Sequence, residues 1–261
     1  MEKHSLHSYQ GFPVHLGDVA AVLSLLPTDR QQLMKQTGFG DNKIRALLDY
    51  LKDFGLLKDD KRSLSELGEI IKNQDNRLTD NFTKWVCLYN WSSIESNPAM
   101  YFLLNFSRSG QNIDGLTDEF KAWASANSYQ TDYKNDYAAN LLKISYRALT
   151  EPEAFQDMSL VVEQQEKAYR ASPYDVNVLL FGYVLYRNSK DRKSISIRQL
   201  MSEPDNVGRF FGYSEQALNT RLEELENLRL VQRVQNANLN MVQLNYEGQA
   251  IDFIKRYYAE N

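Results

Sequence analysis

Seven residues, GFGDNKI at 38–44, return in altered form as GYSEQAL at 212–218, 174 positions later. The correspondence runs on: Ile44, Leu48, Leu51, Phe54, Leu56 and Leu57 stand opposite Leu218, Leu222, Leu225, Leu228, Leu230 and Val231 at the same offset. In the first copy Ile44, Leu47, Leu48, Leu51 and Phe54 recur at three and four residues, the period of an amphipathic helix. Asp41 is its expected N-cap and Gly55 its C-terminal stop. A short helix over Arg30 to Gln36 precedes it through Gly38 and Gly40, and two helices joined by a tight glycine turn predict a helix-turn-helix. After Leu56 and Leu57, KDDKRS has the composition of a hairpin tip, the expected wing, and LSELGEIIK leads into a further helix.

The second copy repeats the plan. LVQRVQ and NMVQLN alternate apolar and polar residues around NANLN, which predicts a two-stranded hairpin. Leu64-Ser-Glu-Leu-Gly-Glu-Ile-Ile then meets Leu244-Asn-Tyr-Glu-Gly-Gln-Ala-Ile with Gly68 opposite Gly248, at an offset of 180 instead of 174. The second wing is thus six residues longer, a change confined to a surface hairpin, and a duplicated winged helix is the expectation. In this second copy the heptad's Glu215 takes the capping place of Asp41.

Between the copies, FTKWVCLYNW and PAMYFLLNFSRS read as buried aromatic helices, the second starting at Pro98 in a favoured first-turn position. LTDEFKAWASAN and TDYKNDYAANLLKISYRAL predict a short helix followed by a long one, and MSLVVEQQEKAYRAS a hairpin, which together are read either as a third, diverged winged unit or as a plain helical region. Pro173 is expected to start an apolar helix, YDVNVLLFGYVLYRN, ending at the basic stretch KDRK. The fold class expected is mainly α with small β-hairpin wings, an α+β chain. Its expected divisions are an N-terminal winged unit over 1–78, a helical middle over 79–172 and a C-terminal winged unit over 173–261.

With 43% hydrophobic and 25% charged residues in 261, the chain has the composition of a cored protein. No apolar run reaches the roughly 18 to 20 residues of a membrane span, and MEKHSLHSYQGFP lacks the apolar stretch of a secretory signal, so a cytoplasmic protein with no membrane contact is expected. Cys87, the single cysteine, sits among aromatics and reads as a buried, inert thiol. A net charge of −4 argues against coating nucleic acid by bulk electrostatics, so DNA contact must come from local basic patches.

Signs of catalysis are few. His4, His7 and His15 all lie in the first fifteen residues without a cysteine, and a frayed terminus explains them better than a metal site. Glu119-Phe-Lys121 and Asp41-Asn-Lys43 fall on helix starts, whereas carboxylate-and-lysine nuclease cores sit on strands. There is no Walker loop, no Gly-x-Ser-x-Gly elbow and no dinucleotide fingerprint, and sixteen scattered tyrosines single out no nucleophile. Neither a cofactor, a metal nor a catalytic residue is expected.

Binding is better supported, because a recognition helix enters the major groove by its N-terminal residues and leaves phosphates to flanking cations. Asn42, Lys43 and Arg45 occupy the start of the first such helix, Lys52 lies further along it, and Lys58, Lys61 and Arg62 decorate the wing. Asn suits adenine edges and Arg guanine edges. Asp49, Asp53, Asp59 and Asp60 interleave with these cations, as on an ordinary solvated face. On the long middle helix Lys134, Asn135, Lys143 and Arg147 form a weaker patch. The second recognition helix carries Glu215, Gln216, Asn219, Arg221, Glu223, Glu224 and Glu226, and its wing has no cation beyond Arg233. Carboxylates repel a phosphate backbone, so this unit is expected to hold a protein, either a second copy of the chain or another partner. Arg187, Lys190, Arg192 and Lys193, before it, are its remaining route to phosphate.

SPYDVNVLLFGYVLY followed by SISIRQLMSEPDNVGRFFGYSEQALNTRLEELE resembles the C-terminal signature of a bacterial domain family found in DNA-modification and phage-defence gene clusters. The SspB proteins of single-strand phosphorothioation systems are its best-known relatives. GFPVHLGDVAAVLSLL, GFGDNKIRALLDYLKDFGLL and LSELGEII fit the family's order of blocks. The family's N-terminal His-Glu-Thr-Phe-Pro type block stands here as Tyr9-Gln10-Gly11-Phe12-Pro13, without the histidine and the carboxylate. The resemblance implies a DNA-related defence role. The leading expectation is therefore a multi-winged-helix protein that binds double-stranded DNA through its N-terminal unit and a defence-system partner or a second copy through its C-terminal unit. A DNA-nicking endonuclease, which the resemblance also implies, and a non-catalytic adaptor are the alternatives.

Overall fold

The computed structural model describes residues 6, 8–131, 136–173, 175–189, 192–236 and 239–261. The chain divides into two compact units, Met1–Ala171 and Ser172–Asn261. It is mainly helical, with one antiparallel sheet of two strands and one of three, the expected α+β class.

The first unit opens with a single 3-10 turn at Tyr9–Gly11 and runs through α1 (Leu16–Leu25), α2 (Arg30–Thr37), α3 (Asp41–Asp53), α4 (Glu66–Gln74), α5 (Asn81–Trp91), α6 (Pro98–Asn105), α7 (Ile113–Ala126) and α8 (Tyr137–Thr150) to the hairpin β1 (Val161–Gln164) and β2 (Lys167–Arg170). Helix α3 buries Ile44, Leu47 and Leu51, the face its sequence period defines. Gly38 ends α2 in the left-handed region, at φ 73°, with its N–H donating to the Met34 carbonyl. The N-cap of α3 is Gly40, not Asp41 as the sequence predicts. Asp41 is the first helical residue, and its carboxylate is held by two arginines instead of the helix N–H groups.

After α3, Gly55 takes a φ of 78° and the chain turns back on itself. Leu57 and Leu64 form one antiparallel bridge, and Lys58 N–H donates to the Ser63 carbonyl at 2.9 Å. The expected hairpin tip is thus present, as a tight turn without extended strands. Ser65 caps α4, accepting from Gly68 N–H at 2.9 Å. Gly68 is required by proximity, since a β-carbon there would stand 2.0 Å from the Leu56 carbonyl oxygen.

Aromatic side chains separated by up to about 150 positions fill the centre of this unit. Tyr9 stacks on Tyr50 with ring centroids 4.0 Å apart, and Trp91 meets Tyr9, Tyr50, Phe54 and Phe155 at 6.1, 5.6, 5.7 and 6.1 Å. Phe54 and Phe155 are 5.9 Å apart, so residues of the N-terminal helices and of the middle region share one core. Asn97 caps α6 and donates to Ser145 Oγ on α8 at 2.9 Å, a buried polar link. Helices α7 and α8 are both fourteen residues long, which corrects the expected short-and-long pair.

The second unit comprises α9 (Val178–Asn188), β3 (Ser194–Ser196), α10 (Ile197–Ser202), α11 (Val207–Phe211), α12 (Glu215–Asn227), β4 (Val231–Asn236), β5 (Leu239–Leu244) and α13 (Ile251–Glu260). Helix α9 begins at Val178 instead of Pro173, because the Asn177 side chain accepts from Leu179 N–H and supplies the cap. Strand β3, absent from the sequence reading, pairs with β5 through Ile195 and Val242, giving the order β3-β5-β4. Helices α3 and α12 are both thirteen residues long and lie 174 positions apart, each preceded by a left-handed glycine, Gly38 or Gly212. Ser214, not Glu215, caps α12, accepting from Ala217 N–H. The two closing glycines are not equivalent. Gly68 lies inside α4, whereas Gly248 precedes α13 and is crowded by the Tyr246 ring.

Candidate nucleic-acid interface

The nominated side chains of the first unit lie on α3 and on the 58–63 turn beyond it. The glycine turn at 38–40 delivers the start of α3 to the surface, where Asn42 and Arg45 are exposed and Lys43 is half-buried. Lys43 Nζ lies 2.8 Å from Asp18 of α1 and 4.0 Å from the centroid of the Phe39 ring, so a carboxylate and a π-face both hold it. Arg45 Nε meets Asp41 at 2.9 Å, one helical turn away. Lys52 pairs with Asp59 at 3.2 Å, and Lys61 pairs with Asp49. Among the described residues Lys58 and Arg62 have no carboxylate within ion-pair distance.

The 58–63 turn is closed by hydrogen bonds. Asp60 accepts from the N–H groups of Arg62 and Ser63 at 2.8 and 2.9 Å and from the Ser63 hydroxyl at 2.6 Å, and these hydrogen bonds hold its carboxyl down at about 2. Between this turn and the start of α2 runs an open groove of about 760 Å³, whose lining includes Arg30, Leu48, Lys61 and Arg62. Nothing in its sequence position marks Arg30 as part of this site. Its Nε lies 3.0 Å from Asp41, and only the angle between α2 and α3 brings the two together.

Among the described residues the other nominated positions form no second cluster. Lys143 is exposed on α8, and Arg147 is tied to Glu151 at 2.5 Å on the same helix. Lys134 and Asn135 lie outside the described residues, as do His4, His7 and Lys190. His15 lies beside Asp18, and among the described residues no group of three or more His, Cys, Asp or Glu side chains could hold a metal ion. Cys87 is buried, and burial pushes its thiol far up.

On α12 two of the carboxylates are already engaged. Glu224 pairs with Arg221 at 2.8 Å, and Glu226 accepts from the backbone N–H and the guanidinium of Arg233, both at 2.8 Å, which holds its carboxyl below the usual range. Glu215 and Glu223 remain exposed. Near the start of this unit Arg192 pairs with Glu203 at 2.7 Å and Arg187 lies over the Tyr183 ring.

Two mainly helical units with small antiparallel hairpins thus define the class of the chain, and its affiliation follows from comparison. Residues 27–258 match the model of the DUF4007 family, described as "Protein of unknown function", and the chain belongs to that family. Its fold is similar to that of two crystal structures of SspB, one of them magnesium ion-bound. The TM-scores are 0.74 and 0.77, each at 15% identity over 98% of this chain and 88% of the other. No curated protein matches the chain. Among the described residues no helix is long and apolar enough to cross a membrane.

Proposed function

We propose that this chain is a DNA-binding protein of a bacterial DNA-modification or phage-defence system, in which Met1–Ala171 contacts double-stranded DNA and Ser172–Asn261 contacts a protein. The likeness to SspB supports the setting. Residues 1–78 and 173–261 are read as winged helix-turn-helix modules flanking the helical middle, with α3 and α12 as their recognition helices. The observation that carries the DNA assignment is the gathering of Arg30, Lys43, Arg45, Lys61 and Arg62 around the start of α3 and the groove beside it. Asn42 and Arg45 are placed to read base edges, while Lys52, Lys58, Lys61 and Arg62 flank them for phosphate contact. Exposed Glu215 and Glu223 disfavour phosphate at α12, so that helix is assigned to a partner or a second copy.

A gel shift on random-sequence duplex tests this. The Lys43→Ala, Arg45→Ala double variant is expected to bind about tenfold more weakly than wild type at low salt and to show a smaller loss of affinity as salt is raised. Undiminished binding by the double variant contradicts the site. The magnesium-bound state of an SspB crystal structure favours one second reading, a DNA nickase. Supercoiled plasmid incubated with the full chain and magnesium distinguishes the two, since relaxation of the plasmid would establish nicking.

A further inference from the structure

We infer that Asp41 is an internal competitor for duplex DNA, holding Arg30 and Arg45 until the nucleic acid displaces it. The inference rests on the DNA-binding reading and concerns how that site is regulated. Asp41 uses one oxygen for Arg30 at 3.0 Å and the other for Arg45 at 2.9 Å, so one carboxylate spans two guanidiniums from the two helices of the pair. All three side chains are open to solvent, at 47% exposure for Arg30, 51% for Arg45 and 37% for Asp41. Exposed ion pairs of this kind contribute little, and a polyanion that releases condensed counterions on binding outcompetes them.

The arrangement extends over the surface. Asp18 holds Lys43, Asp59 holds Lys52 and Asp49 holds Lys61, so most cations of the site are neutralised in the free protein. Asp41 stands apart because it holds two guanidiniums, one on each of its oxygens. Arg30 lines the same groove as Lys61 and Arg62, and its release there would complete a row of cations along a space of about 760 Å³. The carboxylates that line that groove are committed to the backbone, Asp29 to Gln32 N–H at 3.0 Å and Asp60 to the turn at 62–63. Arg30 thereby becomes a phosphate contact that its position before the glycine turn does not reveal.

The test is fluorescence anisotropy of a labelled duplex with the full chain at two salt concentrations. Asp41→Asn, which keeps a polar residue in the first turn of α3, is expected to bind several-fold more tightly than wild type. Its dependence of log K on log salt should be steeper by up to about one, because no carboxylate is left to take up cations on release. Arg30→Ala is expected to bind more weakly with a shallower dependence, and Arg30→Ala in the Asp41→Asn background should remove much of the gain. Asp18→Asn, which frees Lys43, provides the same test through an independent pair should Asp41→Asn fail to fold. Binding by Asp41→Asn equal to or weaker than wild type, with Arg45→Ala still impaired, overturns the competitor and leaves the DNA-binding reading standing. Absence of binding by wild type and every variant overturns both.

Discussion

Trp91→Ala is expected to destabilise the first unit by about 4 kcal/mol, the range for removing a buried tryptophan and leaving a cavity. Trp91 is fully buried and touches four aromatic rings brought from three separated segments, Tyr9, Tyr50 with Phe54, and Phe155. No single neighbour can collapse into the space it leaves, because the rings are anchored on three different segments, the turn at Tyr9, helix α3 for Tyr50 and Phe54, and the stretch after α8 for Phe155. The variant also removes the indole N–H that donates to the Tyr9 hydroxyl at 2.8 Å, leaving that buried oxygen with one partner fewer. All three tryptophans lie in this unit, so fluorescence of the remaining Trp85 and Trp123 during urea unfolding reports its stability directly. A loss under about 1 kcal/mol would show that the aromatic cluster is not the centre of this core.

The second large effect depends on pH and centres on Asp53. Its carboxyl is buried at the end of α3 and accepts the Tyr9 hydroxyl at 2.6 Å. Burial, with Asp49 adding to it, raises its pKa from 3.8 to about 7 against the opposing effects of the Tyr9 hydrogen bond, Lys52 and Lys61. A carboxyl whose folded pKa is raised binds its proton more tightly when folded. Its contribution to stability is therefore complete below about pH 4 and is lost as pH rises to about 7, a change on the order of 4 kcal/mol. Asp53→Asn keeps an acceptor for Tyr9 and has no charge to bury. Urea unfolding at pH 5 and pH 8 should show the asparagine variant gaining on wild type by a few kcal/mol at the higher pH. Parallel pH profiles for the two proteins would rule out a buried, titrating Asp53.

The parts of the fold that were legible in the sequence are those written in local periodicity. Helices α3 and α12 declared themselves by their apolar spacing and by the shared offset, and Gly38 and Gly212 by the turn each must make. Residue type alone misplaced the caps, since an aspartate at a helix start looks the same whether it takes backbone N–H groups or arginines. The spacing of Asp41 and Arg45 on one helix face was the available clue, and Arg30 offered none. Strand β3 has three residues, too few to establish an alternation, and runs directly into the capping box of Ser196 and Gln199. The Asp53, Tyr9 and Trp91 chain was invisible because its members lie 44 and 82 positions apart and meet only through packing. The residues proposed to meet DNA are singled out by type and by their place on α3 and the 58–63 turn, while the carboxylates that pair with several of them emerge only in the folded geometry.

Duplex DNA is proposed to meet the first unit through α3, the start of α2 and the 58–63 turn. Amide hydrogen exchange of the full chain with and without a random-sequence duplex tests it most directly. Exchange is expected to slow at 30–45 and 57–63, the helix starts and the turn that a bound duplex would cover, and to stay unchanged along 215–227. Slowing confined to 215–227, with 30–63 unaffected, would contradict the assignment and give DNA to the second unit.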